Sequence, residues 1–260
     1  MKKTTFLLML IVMVGCNSHQ KKQPLVNIIK DESLKADKVP ELIGIDSTKL
    51  SINFKPIGNY ASLLENISSD KVYFKNAYNI NNLKAIDSAS KYLSSKLINE
   101  IVLHWYGTPW DFNGHTNIPN DGEIACGYFV STTLKHLGFN LNRYKMAQQA
   151  GLIEARMLQP KFELKIYSNL SFQSLKEKVN KAYSDGIYFV GLDNHVGYIL
   201  IKDSVLYFLH SSYCDDKVVI ELAEKSACFV SNIYVFAEIT TNKKLVANWI
   251  TNKRLNVPAN

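Results

Sequence analysis

The sequence predicts an α+β protein in which several helices precede an antiparallel sheet. Before residue 140, apolar residues recur at three- and four-residue spacing, the pattern of helices that bury one face. From residue 187 onward, short runs rich in β-branched and aromatic residues follow one another, which indicates strands. Helices that come first, packed on strands that follow as a meander, are typical of the α+β class.

The N-terminal segment, residues 1–15, is predicted to be a lipoprotein signal peptide. Two lysines precede an apolar run that is too short to cross a bilayer as a helix. The run ends in Val14-Gly15-Cys16, which resembles a bacterial lipobox. This resemblance implies that Cys16 carries a lipid and anchors the protein in the bacterial cell envelope, on the periplasmic or outer-membrane side. An ordinary secretory signal is the alternative.

Composition divides the rest of the chain into four parts. Residues 16–40 are polar and without periodicity, so we expect a lipidated tether between the membrane and the folded body. Residues 41–84 form an N-terminal extension to which the sequence assigns no role. The main folded domain is expected over residues 85–240, followed by a C-terminal helix within residues 241–260.

Three helices are predicted in the first part of the main domain. One covers Asp87–Tyr106 and is ended by the glycine and proline that follow it. The next begins at Cys126 and ends at Gly138. Residues 140–172 show no clear pattern, and another helix is expected over Leu175–Tyr183.

The strands are predicted from four runs in the last third of the chain, which are Ile187–Leu192, His195–Ile201, Val205–Ser212 and Asn232–Ile239. The fourth run follows a loop or short helix. Lys244–Leu255 is predicted to be a terminal amphipathic helix.

A tight turn joins the second and third of these strands. With Lys202 and Asp203 as its central residues, His195 would lie opposite His210, and opposed residues share a face with Cβ atoms roughly 4.5–5.5 Å apart. A turn centred one residue later would instead place Ser212 opposite His195. The turn lacks the glycine that would fix its type, and we take the first arrangement as the prediction.

Cys126 is the candidate nucleophile, because it begins a helix and a strand led by a histidine follows. A helix N-terminus or a nearby imidazolium lowers the pKa of a thiol, and we expect such lowering here. His195 would act as the general base, and His210 would orient its ring. Backbone N–H groups at the start of the helix would bind an oxyanion. A buried core cysteine and a hydrogen-bonded strand histidine are the structural alternative.

The other cysteines and histidines have weaker claims to a function. Cys214 and Cys228 are expected to be two buried thiols, and a disulfide between them is the alternative. His115 lies in the loop before the candidate nucleophile and is a candidate for lining a substrate groove. A metal held by His195, His210 and a thiol is conceivable, but no Cys/His spacing indicates a zinc site, so neither metal nor cofactor is expected.

The net charge of +7 excludes few partners, because the charges are scattered along the chain. We find no basic stripe interleaved with aromatic residues, so nucleic acid is not expected as a partner. A mildly basic surface suits contact with an anionic envelope polymer, and a solvated surface explains it equally well. We expect a monomer.

Four segments stand in a suggestive order, which are Gly107-Thr-Pro-Trp-Asp-Phe-Asn-Gly114, Ala125-Cys126-Gly-Tyr-Phe-Val130, His195-Val-Gly-Tyr-Ile199 and Phe208-Leu-His210-Ser211. Together they resemble the glycine-rich loop, nucleophile motif, base strand and third catalytic segment of the NlpC-type family of papain-like cell-wall cysteine peptidases. The resemblance covers roughly residues 85–240.

This resemblance implies a papain-like α+β fold and hydrolysis of amide bonds in peptidoglycan stem peptides. It implies a triad of Cys126, His195 and His210. Four further residues are candidates for contact with the substrate, which are Trp110, Asp111, His115 and Gly127. A catalytically impaired relative that binds cell-wall peptides, or that serves as an assembly lipoprotein, is the alternative.

The chain departs from the family's pattern at three places. Ala125 and Gly127 replace an Asp and a Ser that help to bind the free amine of the stem peptide in some members. Trp110 replaces a tyrosine of the groove, so that a hydroxyl is lost and stacking area is gained. Residues 140–186 are longer than a minimal member needs and are expected to reshape or cover the groove.

Overall fold

An antiparallel sheet forms the centre of the protein. The computed structural model describes residues 55–160 and 163–258, all of which lie in one compact unit, residues 42–260. The strands in this described part are β1 (Lys165–Ser168), β2 (Gly186–Gly191), β3 (Val196–Lys202), β4 (Val205–Ser212), β5 (Lys217–Leu222) and β6 (Ile233–Glu238). They lie in the order β1-β6-β2-β3-β4-β5, and every neighbouring pair is antiparallel. The predicted α+β class is therefore confirmed.

Helices surround this sheet. They are α1 (Tyr60–Ile80), α2 (Asn82–Lys96), α3 (Val102–Trp105), α4 (Cys126–His136), α5 (Arg143–Ala147), α6 (Gly151–Leu158), α7 (Phe172–Ala182) and α8 (Lys243–Ile250). A π-helical turn, Leu97–Ile101, joins α2 to α3. Within the described ranges, no helix is both long enough and apolar enough to cross a membrane. The predicted signal peptide, the tether and Cys16 lie outside the described residues.

The sheet carries a hydrophobic core on each face. On one face α4 packs across β3 and β4, and α6 packs on β2 and β6. On the other face α7 packs beside a 3₁₀ turn, Ala227–Phe229, and this layer buries Leu175, Val179 and Phe208. Because β2 to β4 are covered on both sides, they read as almost unbroken apolar runs rather than as alternating ones.

The N-terminal extension contributes to the same core. α1 packs against α2 and α8, and it buries Leu63, Ile67 and Phe74 together with the side chains beneath α4. The sequence predicts that the folded body begins at residue 85. In the structure it begins earlier, because α1 belongs to the same core. Within the described residues, the extension braces the domain.

The structure adds elements that the sequence analysis did not resolve. β5 is a strand that was not predicted, and it lies before the 3₁₀ turn that stands where a loop or short helix was expected. α5, α6 and β1 occupy most of the segment without a clear pattern. β5 is a strand at the edge of the sheet that begins with Lys217 and is flanked by the acidic pair Asp215 and Asp216. This charge made the segment resemble a loop.

Cys214 and Cys228 form a disulfide, so the expectation of two separate thiols is wrong. Their Cα atoms lie 6.1 Å apart, within the range that a disulfide spans. The two meet because the 3₁₀ turn after β5 folds back beneath β4, a contact that sequence spacing does not reveal. Cys214 is exposed, whereas Cys228 is buried.

Candidate active site

A cavity of about 790 Å³ opens at the N-terminus of α4. Cys126 and His195 both line it, and its walls carry the aromatic side chains of Trp110, Tyr128 and Tyr213. A smaller cavity of about 180 Å³ also contacts both Cys126 and His195. The candidate nucleophile and the candidate base therefore face the same space.

The local backbone presents Cys126 at a helix N-terminus. Ala125 is extended, and its carbonyl accepts the N–H of Phe129, which closes the first turn of α4. No side chain of the described part caps this turn. The N–H groups of Cys126 and Gly127 act on the Cys126 sulfur instead, at the positive end of the helix dipole.

Gly127 is required by the way α5 approaches α4. A Cβ atom at this position would lie 2.7 Å from the carbonyl oxygen of Ala147. This contact explains why a residue with a side chain is not accommodated at position 127.

The predicted register between β3 and β4 is wrong. Lys202 pairs with Val205, so the turn is centred on Asp203 and Ser204, one residue later than predicted. Both residues adopt positive φ, at 50° and 62°, as the central residues of a type I′ turn do. His195 is therefore not directly opposite the second histidine of the proposed triad.

The two imidazoles nevertheless meet, because they are diagonal neighbours on one face of the sheet. The register continues to place Gly197 opposite His210, where an added Cβ would lie 2.9 Å from the His210 Cβ. The missing side chain lets Phe208 and His210 pack closely against β3 at this point. Nε2 of His195 lies 2.8 Å from Nδ1 of His210.

Glu221 on β5 completes a chain of polar groups. Its Oε1 lies 3.0 Å from Nε2 of His210. Burial raises the pKa of the Glu221 carboxyl, but hydrogen bonding, led by that from His210, outweighs it and lowers the pKa. Glu221 is thus an ionised acceptor.

This chain fixes the protons on both rings. Because ionised Glu221 can only accept, His210 carries its proton on Nε2 and offers Nδ1 as an acceptor. His195 must then donate from Nε2, which leaves its Nδ1 without a proton. That Nδ1 is buried and has no hydrogen-bond partner among the described residues. His195 is therefore arranged as a base.

Burial keeps both histidines neutral. It lowers the pKa of His195 to about 3, with a further contribution from His210. It also lowers the pKa of His210, against the opposing effect of Glu221. Phe208 contributes to this apolar setting, since its ring stacks on that of His210 at a centroid distance of 3.9 Å.

The thiol of Cys126 is not activated in the manner that the sequence led us to expect. Burial raises its pKa, and nearby Glu154 raises it further. The backbone N–H groups of Val196, Gly127 and Cys126 itself oppose this effect without overcoming it. The expected lowering of the thiol pKa is therefore wrong for the free protein, because the side chain loses more hydration than the helix terminus returns.

Glu154 is a buried acid beside the thiol that the sequence analysis missed. It lines the smaller cavity, and its Oε2 has no hydrogen-bond partner within the described ranges. Burial raises the pKa of this carboxyl well above its ordinary value. Position 154 falls in the segment without a clear pattern, so no local pattern indicates that this glutamate points inward.

The substrate-binding candidates divide into two pairs. Trp110 and Gly127 line the large cavity, whereas Asp111 and His115 are not among its lining residues. Asp111 instead accepts the N–H of Asn113 within its own loop. His115 is exposed, and its Nδ1 lies 2.8 Å from the carbonyl oxygen of Asn113.

The sequence analysis also missed Tyr213 and Glu221. Tyr213 follows β4, and its ring packs edge-on against His195 at a centroid distance of 5.1 Å. Glu221 escaped notice because its strand was not predicted. An acidic residue in the run Lys-Val-Val-Ile-Glu-Leu of β5 was the available signal for it.

Comparison with protein-family models, with curated proteins and with solved structures finds no match for this chain.

Proposed function

We propose that the protein is a lipid-anchored cysteine hydrolase with a papain-like NlpC-type domain, which cleaves amide bonds in peptidoglycan stem peptides or a related substrate. The observation that carries the proposal is the arrangement of His195. Its Nε2 is hydrogen-bonded to His210, its Nδ1 has no partner among the described residues, and it shares a cavity with a thiol at a helix N-terminus. Thiol hydrolases need this combination of nucleophile, oriented base and helix terminus.

The reaction begins when the thiol of Cys126 transfers its proton to Nδ1 of His195 and its sulfur attacks the substrate carbonyl carbon. The oxyanion that forms accepts from the N–H groups at the start of α4. His195 then protonates the departing amine, which leaves a thioester on Cys126. Water, deprotonated by the same imidazole, hydrolyses the thioester and restores the thiol.

His210 and Glu221 act through His195. As His195 becomes cationic, its Nε2–H donates more strongly to His210, whose own Nε2–H is held by the carboxylate. This arrangement keeps Nδ1 directed toward the proton that it takes up. His210 is thus a positioning residue, and Glu221 sets its tautomer.

The directions of the pKa shifts favour proton transfer on substrate binding over a preformed ion pair. The raised pKa of Cys126 and the lowered pKa of His195 mean that both groups are neutral in the free protein at neutral pH. The thiolate and imidazolium form together only when an electrophile accepts the sulfur, and general-base assistance of this kind supplies roughly 10²–10⁴-fold in rate.

The walls of the cavity indicate an extended substrate with apolar and amide surfaces. Trp110, Tyr128 and Tyr213 offer stacking area. Ala125 and Gly127 bring no polar side chain to the positions that bind a free amine in the family. We therefore expect little dependence on a free N-terminal amine in the substrate.

Hydrolysis of defined stem peptides tests the proposal. The wild-type protein should release a new amine, detected by mass spectrometry, and Cys126→Ala should release none. The rate of hydrolysis should fall roughly 10²–10⁴-fold in His195→Ala. Lys244→Ala, on the exposed side of α8, should keep full activity. Full activity in Cys126→Ala on the same substrate would refute the nucleophile.

The same pKa directions favour one alternative, a relative that binds cell-wall peptides without cleaving them. On that hypothesis the wild type and Cys126→Ala bind a stem peptide with equal affinity, and prolonged incubation releases no product. Calorimetric titration combined with product analysis separates the two functions.

A further inference from the structure

We propose that reduction of the Cys214–Cys228 disulfide creates a site for a divalent transition-metal ion, made by His195, His210 and Cys228. The ligand atoms of these three residues all lie within 4.8 Å of one another, and all three residues are buried. Two imidazoles and one thiolate form the mixed nitrogen and sulfur set that suits Zn²⁺ and Co²⁺.

The two rings already face each other through the nitrogens that a metal would take. Nε2 of His195 and Nδ1 of His210 lie 2.8 Å apart and are joined by a hydrogen bond. A metal with bonds of about 2.0–2.1 Å to each nitrogen and about 2.3 Å to sulfur needs only a small separation of the rings. That separation replaces the hydrogen bond between them.

The surroundings of His210 support ligation through Nδ1. Its Nε2 donates to Glu221 at 3.0 Å, and a carboxylate on the far nitrogen is what orients most metal-binding histidines. The ring is stacked on Phe208, and Cys228 is followed by Phe229, which is buried on the same face. These aromatic neighbours hold the ring in place, and the hydroxyl of Ser212, which is bonded to Asp215, lies 3.6 Å from the Cys228 sulfur.

The disulfide determines whether the sulfur is available. While it is closed, Cys228 offers no thiolate. Because Cys214 is exposed and Cys228 is not, an external thiol attacks the sulfur of Cys214 and expels the Cys228 thiolate beside the histidines. A second equivalent of the thiol frees Cys214, so that two external thiols become one disulfide.

Metal binding would disable the base. His195 is neutral and carries one proton, on Nε2. When the metal takes Nε2, that proton moves to Nδ1, which then can no longer accept a proton from Cys126. The metal site rests only on the geometry of the three ligands, whereas this inhibitory role rests on the function proposed above.

Cobalt titration of the full-length chain tests the site without any activity assay. Cys16→Ser and Cys126→Ala form the background, so that only the disulfide cysteines remain of the chain's four. In this background Cys214→Ser should bind one Co²⁺ with a thiolate-to-cobalt charge-transfer band, with no reductant present. The parent with its disulfide closed should show no band until a phosphine reductant is added.

Two variants identify the ligands. Cys228→Ser, in which Cys214 keeps its thiol, and His210→Gln should each lose the charge-transfer band or weaken Co²⁺ binding at least about tenfold. Circular dichroism tests whether each variant is folded. If Cys214→Ser is unfolded, Co²⁺ binding is measured on the reduced parent instead. A folded, reduced parent without the band, or an unchanged band in Cys228→Ser, would overturn the proposal.

Inhibition is measured separately. In the otherwise wild-type chain, Zn²⁺ at about ten times its Kd should lower hydrolysis about tenfold after reduction, and Cys228→Ser should resist this effect. If no hydrolytic activity exists, the cobalt titration still stands. If cobalt binds and zinc does not inhibit, the site is present without the regulatory role.

Discussion

His195 and His210 are joined nitrogen to nitrogen at 2.8 Å although they are not paired across their strands. Gly197 leaves the position opposite His210 without a side chain. Because Glu221 fixes the proton on the far side of His210, the direction of this hydrogen bond is fixed as well. The predictions below follow from this relay and from the groups that surround the thiol.

Alkylation of Cys126 should be slow at neutral pH and should accelerate only as the pH rises above the ordinary range for a thiol. Burial raises the pKa of Cys126, and the neutral imidazole of His195 does not stabilise the thiolate. Rates of iodoacetamide labelling across pH measure this, with Cys126→Ala to assign the modified residue. A plateau of fast labelling below pH 7 that is lost in His195→Ala would instead reveal a preformed ion pair.

Substitution of Glu221 should lower activity while the protein stays folded. In Glu221→Gln the amide oxygen still accepts from His210, but the negative charge is gone. We therefore expect kcat to fall about tenfold or more, with the roughly 10²–10⁴-fold loss of general-base catalysis as the upper limit. The kcat of Glu221→Ala should be lower still, because the tautomer of His210 is then no longer fixed. Glu224→Gln, on the exposed turn after β5, is the matched control.

Serine in place of Gly127 should destabilise the protein. The new Cβ would lie 2.7 Å from the Ala147 carbonyl oxygen, so α4 and α5 must separate. We expect a loss of about 1–3 kcal/mol in the free energy of unfolding, which is the usual cost of overpacking. Urea denaturation measures it, with Ala182→Ser at an exposed helix end as the control. Unchanged stability would mean that α5 moves freely.

Glu154→Gln should stabilise the protein, and the gain should grow with pH. The folded pKa of Glu154 is raised by burial, whereas the unfolded carboxyl titrates near 4.5. Above that pH the unfolded chain loses a proton that the folded protein keeps, so the wild-type free energy of unfolding falls as the pH rises toward the folded pKa. Melting temperatures at pH 4 and pH 8 should therefore diverge between wild type and variant. Glu65→Gln, on the exposed side of α1, should show no such divergence.

Removal of the disulfide should cost stability. The crosslink closes a loop with a sequence separation of 14, for which loss of unfolded-state entropy corresponds to about 3 kcal/mol. The double variant Cys214→Ser/Cys228→Ser should unfold at lower denaturant concentration than the oxidised parent. Equal midpoints for the reduced parent and the double variant would confirm that the crosslink, and not the serine hydroxyls, accounts for the loss.

The sequence was most informative where elements are long or strongly patterned. The start of α4 at Cys126 was predicted correctly, and Val205–Ser212 is the observed β4. These segments are apolar runs with clear boundaries, so local propensity and tertiary packing agree.

Other features depend on contacts that no local pattern encodes. The turn after β3 has no glycine, and its positive φ falls on Asp203 and Ser204, so the preferred register was wrong and the alternative, with Ser212 opposite His195, is the one observed. The burial of Glu154 depends on how α6 packs on the sheet. The pKa of the Cys126 thiol is raised because burial outweighs the effect of the helix terminus. A sequence motif does not reveal how deeply a side chain is buried.

The loop before Cys126 also forms the outermost layer of the sheet. Gly107 and Thr108 exchange backbone hydrogen bonds with Val218 of β5, and the N–H of Trp110 donates to the Asp216 carbonyl. One short segment thus supplies a wall of the cavity and covers a strand edge that would otherwise be open to pairing with other chains. Changes that shorten or loosen this segment should cause self-association together with any loss of activity. The solubility of such variants therefore reports whether this wall of the cavity is intact.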